Sequence, residues 1–115
     1  MIAPFWADIS TNVTPDSHVY WRKNTSEADL NRTTEEITQA FPNVKSIDLK
    51  WVLVATWVNV TRYCQQQVNC DTRTNTFQAV VSTDGVRSYV LFLYDELSWD
   101  LGDGTFGAGF YSVSS

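Results

Sequence analysis

The fold is decided by the stretch Leu49-Lys50-Trp51-Val52-Leu53-Val54-Ala55-Thr56-Trp57-Val58-Asn59-Val60, residues 49–60. Alternate side chains of an extended chain point to opposite faces. In this stretch one face then carries leucine, tryptophan and alanine, and the other carries mostly valine. Because both faces are apolar, the stretch predicts a central strand that is covered on both sides, with Trp51 and Trp57 in the core.

A β-hairpin is predicted after this strand. Residues 76–82 and 86–94 alternate between apolar and polar, and Thr83-Asp84-Gly85 separates them. Asp-Gly between two alternating runs is a strong hairpin signal. If Asp84 and Gly85 form a two-residue loop, the register places Phe77 opposite Phe92, Ala79 opposite Val90 and Val80 opposite Tyr89.

Two short strands and a helix are predicted before the central strand. The strands cover residues 4–9 and 18–22, and we expect them to pair with each other. Ser26 can cap a helix, and apolar residues recur at helical spacing after it until Pro42 stops the helix. This pattern predicts one amphipathic helix over residues 26–41.

The C-terminal part of the chain is predicted to hold a short strand over residues 97–100, a glycine-rich loop over 101–107 and a last strand over 108–113. Together with the other elements, this pattern indicates a mainly β (α+β) domain. We expect an antiparallel β-sheet system or sandwich with one packed amphipathic helix.

Length and composition limit the class of protein. The chain has 115 residues, of which 43% are hydrophobic and 18% charged, so one packed domain over residues 1–115 is expected. Its net charge of -5 provides no basic surface, which argues against nucleic acid as a partner. Because Thr56 and Asn59 interrupt its longest apolar run, this segment is not expected to insert into a membrane.

The asparagines indicate an extracellular location. Four of the seven lie in Asn-x-Ser/Thr sequons, which predicts N-glycosylation at Asn12, Asn24, Asn31 and Asn59. Cys64 and Cys70 flank a short polar stretch, and a local disulfide that closes a small loop fits this spacing.

Residues that could support catalysis or bind a metal are few. His18 could act as a base with Asp8 or Asp16, but one histidine and two cysteines do not make a zinc site or a known catalytic motif. We therefore expect no catalytic residue and no cofactor. Four acidic residues close together make calcium a weak candidate: Asp95, Glu96, Asp100 and Asp103.

Five tryptophans are many for this length, and aromatic rings serve both cores and recognition surfaces. Three of them lie in short runs and are candidates for a partner surface: Trp6, Trp21 and Trp99. Exposed aromatic rings could bind a protein or stack on a sugar, so a lectin-like carbohydrate-binding domain is the alternative to a protein-binding domain.

Six short motifs occur in a characteristic order along the chain. They are Ile-Ala-Pro-Phe-Trp-Ala-Asp (2–8), Val-Tyr-Trp-Arg (19–22), Ala-Thr-Trp (55–57), Asn-Thr-Phe-Gln-Ala-Val (75–80), Ser-Thr-Asp-Gly (82–85) and Ala-Gly-Phe (108–110). In this order the chain resembles the nidogen-type extracellular (NIDO) domain, most closely in the branches found in tectorins, sushi-nidogen-EGF matrix proteins and membrane mucins. The loop between Cys64 and Cys70 does not match the family pattern, and the glycine-rich segment is shorter than in the tectorin branch.

The resemblance implies a non-enzymatic structural and adhesion module, and it transfers no catalytic residue. The chain would then be one domain of a larger mosaic glycoprotein, secreted or tethered to the cell surface. Its expected partners are other glycoproteins of the extracellular matrix or the cell surface.

Overall fold

A computed structural model describes residues 2–100. Its elements in chain order are β1 (Ile9–Ser10), β2 (His18–Asn24), α1 (Glu27–Ala40), β3 (Trp51–Arg62), β4 (Asn75–Thr83) and β5 (Ser88–Leu97). The five strands form one antiparallel sheet and α1 packs on it, which confirms the predicted fold class. The glycine-rich loop at 101–107 and the strand at 108–113 lie outside the described residues.

β3 is the central strand, as predicted. β4 pairs with one edge of it, while β2 and β1 pair with successive parts of the other edge. The expected pairing between the two N-terminal strands is therefore wrong, because β3 has 12 residues and is long enough to pair with both. The first of these strands is also shorter than predicted, since only Ile9 and Ser10 of it are extended against β3.

The helix begins and ends within one residue of its predicted bounds. Ser26 is the N-cap and its hydroxyl accepts a hydrogen bond from the Asp29 backbone N–H, while Phe41 is the C-cap. Ile37 faces the sheet and is completely buried. The Asp29 carboxylate accepts a hydrogen bond from the Asn24 amide at 2.7 Å, which fastens the first turn of α1 to the end of β2.

The helix covers only one face of the sheet. On that face, buried Val52, Val54 and Val80 pack together, and Leu30 of α1 and Leu91 of β5 pack against them. On the opposite face, the β3 residues from Trp51 to Trp57 are only partly buried. The prediction that β3 is covered on both faces is therefore wrong along most of its length, because residues 2–100 supply one helix and no second layer.

The predicted hairpin forms, but its register differs by two residues. Phe77 lies opposite Tyr94, and Ala79 lies opposite Phe92. The loop is wider than two residues because the Asp84 carboxylate accepts hydrogen bonds from the backbone N–H groups of both Val86 and Arg87, at 2.9 and 2.7 Å. A shift of two residues leaves every side chain on its predicted face.

A bulge in β3 connects the sheet to a second apolar cluster. The register with β4 shifts between Trp57 and Val60, and Asn59 in the bulge has a φ of 50°. Val60 is completely buried in a cluster with Phe5, Phe77 and Trp99, and Trp57 packs against this cluster. The bulge thus turns Val60 to the same side as Trp57.

The strand expected at residues 97–100 is not observed, because β5 continues to Leu97 and the regular strand ends there. Buried Asn75 instead bonds the backbone of the two residues that follow, and Trp99 turns into the core. No helix in residues 2–100 is long and apolar enough to cross a membrane.

Candidate binding surface

The sheet face opposite α1, which we call the outer face, is apolar, and among residues 2–100 its exposed side chains lie on β2 and β5. Its position follows from the register, because residues that pair directly across strands share a face. Among its side chains, Trp21 is 75% exposed, and Val19 and Phe92 are exposed to 47% and 41%. The other aliphatic members are Leu53, Ala55, Ala79, Val81 and Val90.

One row across the outer face joins two aromatic rings through two small residues. Trp21 pairs with Ala55, Ala55 pairs with Ala79, and Ala79 pairs with Phe92. Because alanine side chains are short, the middle of this row is low and its two ends are high. The outer face therefore has a shallow trough with an aromatic ring at each side.

A cation lies over one end of the outer face. The ammonium group of Lys23 is 4.9 Å from the centre of the Trp51 ring, which is the geometry of a cation–π contact. Next along β2 on the same face is Trp21, whose ring remains open to solvent. This edge of the outer face thus combines aromatic surface with one positive charge.

The N-terminal segment forms a cavity beside the trough. A space of about 380 Å³ is lined by residues 2–9 together with Trp57 and Phe77. Trp6 lines this space and is 48% exposed. The rings of Trp57 and Phe77 stack with their centres 5.1 Å apart, and they form the floor on the sheet side.

The three predicted surface tryptophans separate into two groups. Trp6 and Trp21 are exposed, and their binding of a partner remains a prediction. Trp99 is only 2% exposed, so its assignment to a partner surface is wrong. Its ring packs edge-on against Phe5, and its indole N–H donates a hydrogen bond to the Val60 carbonyl at 3.0 Å, so it is a core residue.

The four sequons all lie in the part of the chain before β4. Asn12 and Asn31 are exposed. The Asn24 amide is held by Asp29, and the Asn59 amide donates to the Asp16 carboxylate at 2.8 Å. Glycosylation of each asparagine remains a prediction. A glycan on Asn24 or Asn59 would have to break the side-chain hydrogen bond described above, so Asn12 and Asn31 are the more accessible sites.

The residues considered for catalysis or zinc binding are the two cysteines and His18 with its nearby carboxylates. Cys64 and Cys70 form the expected disulfide. His18 lies exposed on β2, where its ring neighbours that of Tyr20. Residues 2–100 contain no group of three or more histidine, cysteine, aspartate or glutamate side chains placed to hold a metal.

The acidic candidates for calcium lie near the end of β5. Asp95, Glu96 and Asp100 are exposed, and Glu96 accepts a hydrogen bond from the Ser98 hydroxyl at 3.0 Å. Asp103 lies outside the described residues. Calcium binding by these residues therefore remains a prediction. Residues 2–100 hold no group of three or more of these side chains placed to bind a metal.

Two carboxyl groups outside the outer face have lowered pKa values, and each shift has a structural cause. Hydrogen bonds from the Arg73 side chain and backbone lower the pKa of Asp71 to about 2. Backbone N–H groups of Arg87 and Val86 lower the pKa of Asp84 in the hairpin loop. Both carboxylates stabilise loop conformations and neither adjoins the trough.

The family model described as the nidogen-like domain matches residues 1–111. Alpha-tectorin of Mus musculus is 36% identical over 106 residues, which cover 92% of this chain and 5% of that protein. Mucin-4 of Mus musculus is 39% identical over 106 residues, which cover 88% of this chain and 3% of that protein.

Nidogen-1 of Homo sapiens is 34% identical over 97 residues, which cover 83% of this chain and 8% of that protein. The chain thus spans less than a tenth of the length of each of these three relatives. No solved structure matches the chain.

Proposed function

Because the chain belongs to the family of nidogen-like domains, we propose that it is a non-enzymatic structural and adhesion module that binds other glycoproteins of the extracellular matrix or the cell surface. The domain is extracellular, and its disulfide between Cys64 and Cys70 suits that oxidising environment.

The observation that carries the proposal is the exposed outer face with Trp21 at its edge. Large apolar side chains that stay in water on a folded domain mark interaction surfaces, and tryptophan is enriched among residues that dominate binding energy. Trp21 is 75% exposed although its strand, β2, pairs directly with the central strand β3. A partner that covers Trp21 and Phe92 would fill the trough between them.

Glycans on Asn24 and Asn31 would leave this face open. Asn31 is exposed on α1, which packs on the opposite face of the sheet, and Asn24 bonds to the first turn of the same helix. A glycan must extend into water, so sugars on these residues would surround the helix side. The outer face is then the side that remains accessible to a protein.

The chemistry of the outer face favours a protein over a saccharide. A sugar ring can stack on a tryptophan, but its hydroxyl groups also need hydrogen-bond donors and acceptors beside the ring. The neighbours of Trp21 on this face are Val19, Ala55 and Lys23, of which only Lys23 can donate from its side chain. Lectin-like binding is therefore the second candidate.

The test uses the full secreted chain added to matrix laid down by cultured cells. We expect Trp21→Ser to reduce retention by roughly tenfold or more, as for a tryptophan that supplies much of the binding energy. Tyr20→Ser is the matched control, because Tyr20 is 55% exposed and adjacent on β2 but points to the helix side. Equal retention of both variants would contradict the role of the outer face.

A saccharide titration that follows tryptophan fluorescence separates the two candidates. We expect no saturable response across neutral, acidic and amino sugars. A saturable response that Trp21→Ser abolishes would replace protein binding with the lectin-like function.

A further inference from the structure

The cavity beside the N-terminal segment, which we call the N-terminal cavity, joins apolar walls to one acidic side chain. Residues 2–9, Trp57 and Phe77 enclose about 380 Å³, a volume in the range of pockets that bind ligands. Apart from Asp8, the lining side chains are all aliphatic or aromatic. Asp8 is exposed and is the one charged residue among those that line this space.

The walls of the N-terminal cavity are held in place by contacts between the N-terminal segment and the rest of the fold. The Tyr94 hydroxyl donates a hydrogen bond to the Pro4 carbonyl. Phe5 is buried in the apolar cluster below the segment. The Tyr63 backbone N–H donates to the Asp8 carbonyl at 3.0 Å. Because the segment is fastened at several points, the cavity exists before a ligand enters, and binding orders few additional side chains.

A lysine or arginine side chain matches this lining. Both have an apolar stem that packs on apolar surface and a cationic group at the end of the stem. In the N-terminal cavity the stem would lie against Trp6 and Trp57, and the cationic group would bind the Asp8 carboxylate. Aromatic rings also attract cations, and on the same face of the sheet the ammonium group of Lys23 lies 4.9 Å from the centre of the Trp51 ring.

The charge of the whole chain favours the same class of ligand. Its net charge is -5, so a basic segment of a partner is attracted toward it at long range. An acidic ligand would be repelled by Asp8, and a wholly apolar ligand would gain nothing from the carboxylate. Charge complementarity therefore selects a basic side chain.

From these features we propose that the N-terminal cavity binds a lysine or arginine side chain of a partner protein. The inference rests on the proposed function for the source of this side chain, because that function supplies a protein partner. It goes further by naming the class of residue that is bound and a site that does not include Trp21. The two sites can therefore be tested separately.

The test is an NMR titration of the full secreted chain with short capped peptides of glycine and serine that carry one central residue. The central residue is lysine, arginine or norleucine, which has an apolar stem like that of lysine but no ammonium group. We expect both basic peptides to shift the indole N–H signals of Trp6 and Trp57 in a saturable way. The norleucine peptide should bind roughly fivefold more weakly, since it lacks an ion pair that is in contact with solvent.

Asp8→Asn tests the acidic end of the cavity. It should weaken binding of the lysine peptide by roughly fivefold and leave the norleucine peptide unaffected, so that the two peptides bind equally well. Asp8 is exposed and asparagine has nearly the same shape, so the variant should fold. Glu35→Gln is the matched control, because it removes one negative charge from an exposed position on α1, on the other side of the sheet, and it should leave both affinities unchanged.

Trp21→Ser distinguishes this inference from the proposed function. It should leave the affinity for the lysine peptide unchanged, because Trp21 does not line the N-terminal cavity. If this variant binds the peptide normally and is still fully retained by matrix, only the role of the outer face is contradicted. Loss of peptide binding in this variant would overturn the inference, because the site would then include Trp21.

Three other results would overturn the inference. The first is the absence of a saturable shift up to about 10 mM of either basic peptide, where even weak contacts are populated. The second is equal weakening by Asp8→Asn and Glu35→Gln, which would mean that only the overall charge matters. The third is a set of nuclear Overhauser contacts from residues 101–115 to Trp57 before peptide is added, which would mean that the chain itself fills the cavity.

Discussion

Asn75 holds the backbone of Trp99 through both ends of its side-chain amide. Its Oδ1 accepts from the Trp99 backbone N–H at 3.1 Å, and its Nδ2 donates to the Trp99 carbonyl at 2.9 Å. Asn75 is completely buried, and Trp99 is 2% exposed. The chain leaving β5 is thereby turned so that the indole enters the cluster of Phe5, Val60 and Phe77.

We therefore expect Asn75→Ala to lower the free energy of unfolding by about 2–4 kcal/mol, because it leaves buried backbone groups without partners. The measurement is urea unfolding followed by tryptophan fluorescence. Asn43→Ala, at an exposed position, is the control and should change stability by less than about 0.5 kcal/mol. Equal effects of the two variants would contradict the role assigned to Asn75.

Two tyrosines on β5 should respond oppositely to loss of the hydroxyl. The Tyr89 hydroxyl is buried and finds no hydrogen-bond partner among residues 2–100, so Tyr89→Phe should be neutral or stabilise the fold by up to about 1 kcal/mol. The Tyr94 hydroxyl donates to the Pro4 carbonyl, so Tyr94→Phe should cost about 1 kcal/mol. Thermal unfolding of both variants checks this order, and the reverse order would refute it.

The bulge in β3 should tolerate glycine better than alanine. Asn59 has a φ of 50°, where a Cβ is unfavourable, and its side chain bonds to Asp16 and Thr76. Asn59→Ala and Asn59→Gly both lose these bonds, but we expect alanine to cost about 1 kcal/mol more because glycine adopts this conformation freely. Denaturant unfolding of the pair provides the measurement, and equal costs would show that the backbone conformation is not strained.

The Asp71 carboxylate should titrate at unusually low pH. Because Arg73 lowers its pKa to about 2 in the folded state, its contribution to stability is present above its ordinary value of 3.8 and is lost as the pH falls toward 2. NMR titration of the carboxyl carbon should give a midpoint near pH 2. Arg73→Gln should raise this midpoint toward 3.8, and an unchanged midpoint would exclude Arg73 as the cause.

Part of the candidate surface could be predicted from the sequence. Trp6 and Trp21 lie in short runs, which made them candidates for a partner surface, and both are exposed. Trp99 has the same local pattern but is buried, because Asn75, 24 residues away in the sequence, redirects the chain there. The trough depends on the registers of β2, β3, β4 and β5 together, which no local pattern specifies.

By itself the sequence determined β3, α1 and the presence of the hairpin. The alternation in residues 49–60 and 76–94, the capping Ser26 and the Asp-Gly pair act over a few neighbouring residues, so they can be read locally. The hairpin register also depends on local contacts, the hydrogen bonds that Asp84 accepts from the Val86 and Arg87 backbone, although the Asp-Gly pattern did not specify it. The tertiary structure alone decided which face of β3 α1 covers. The covered face of β3 results from contacts between segments that are far apart in the sequence. Local residue patterns do not encode such contacts.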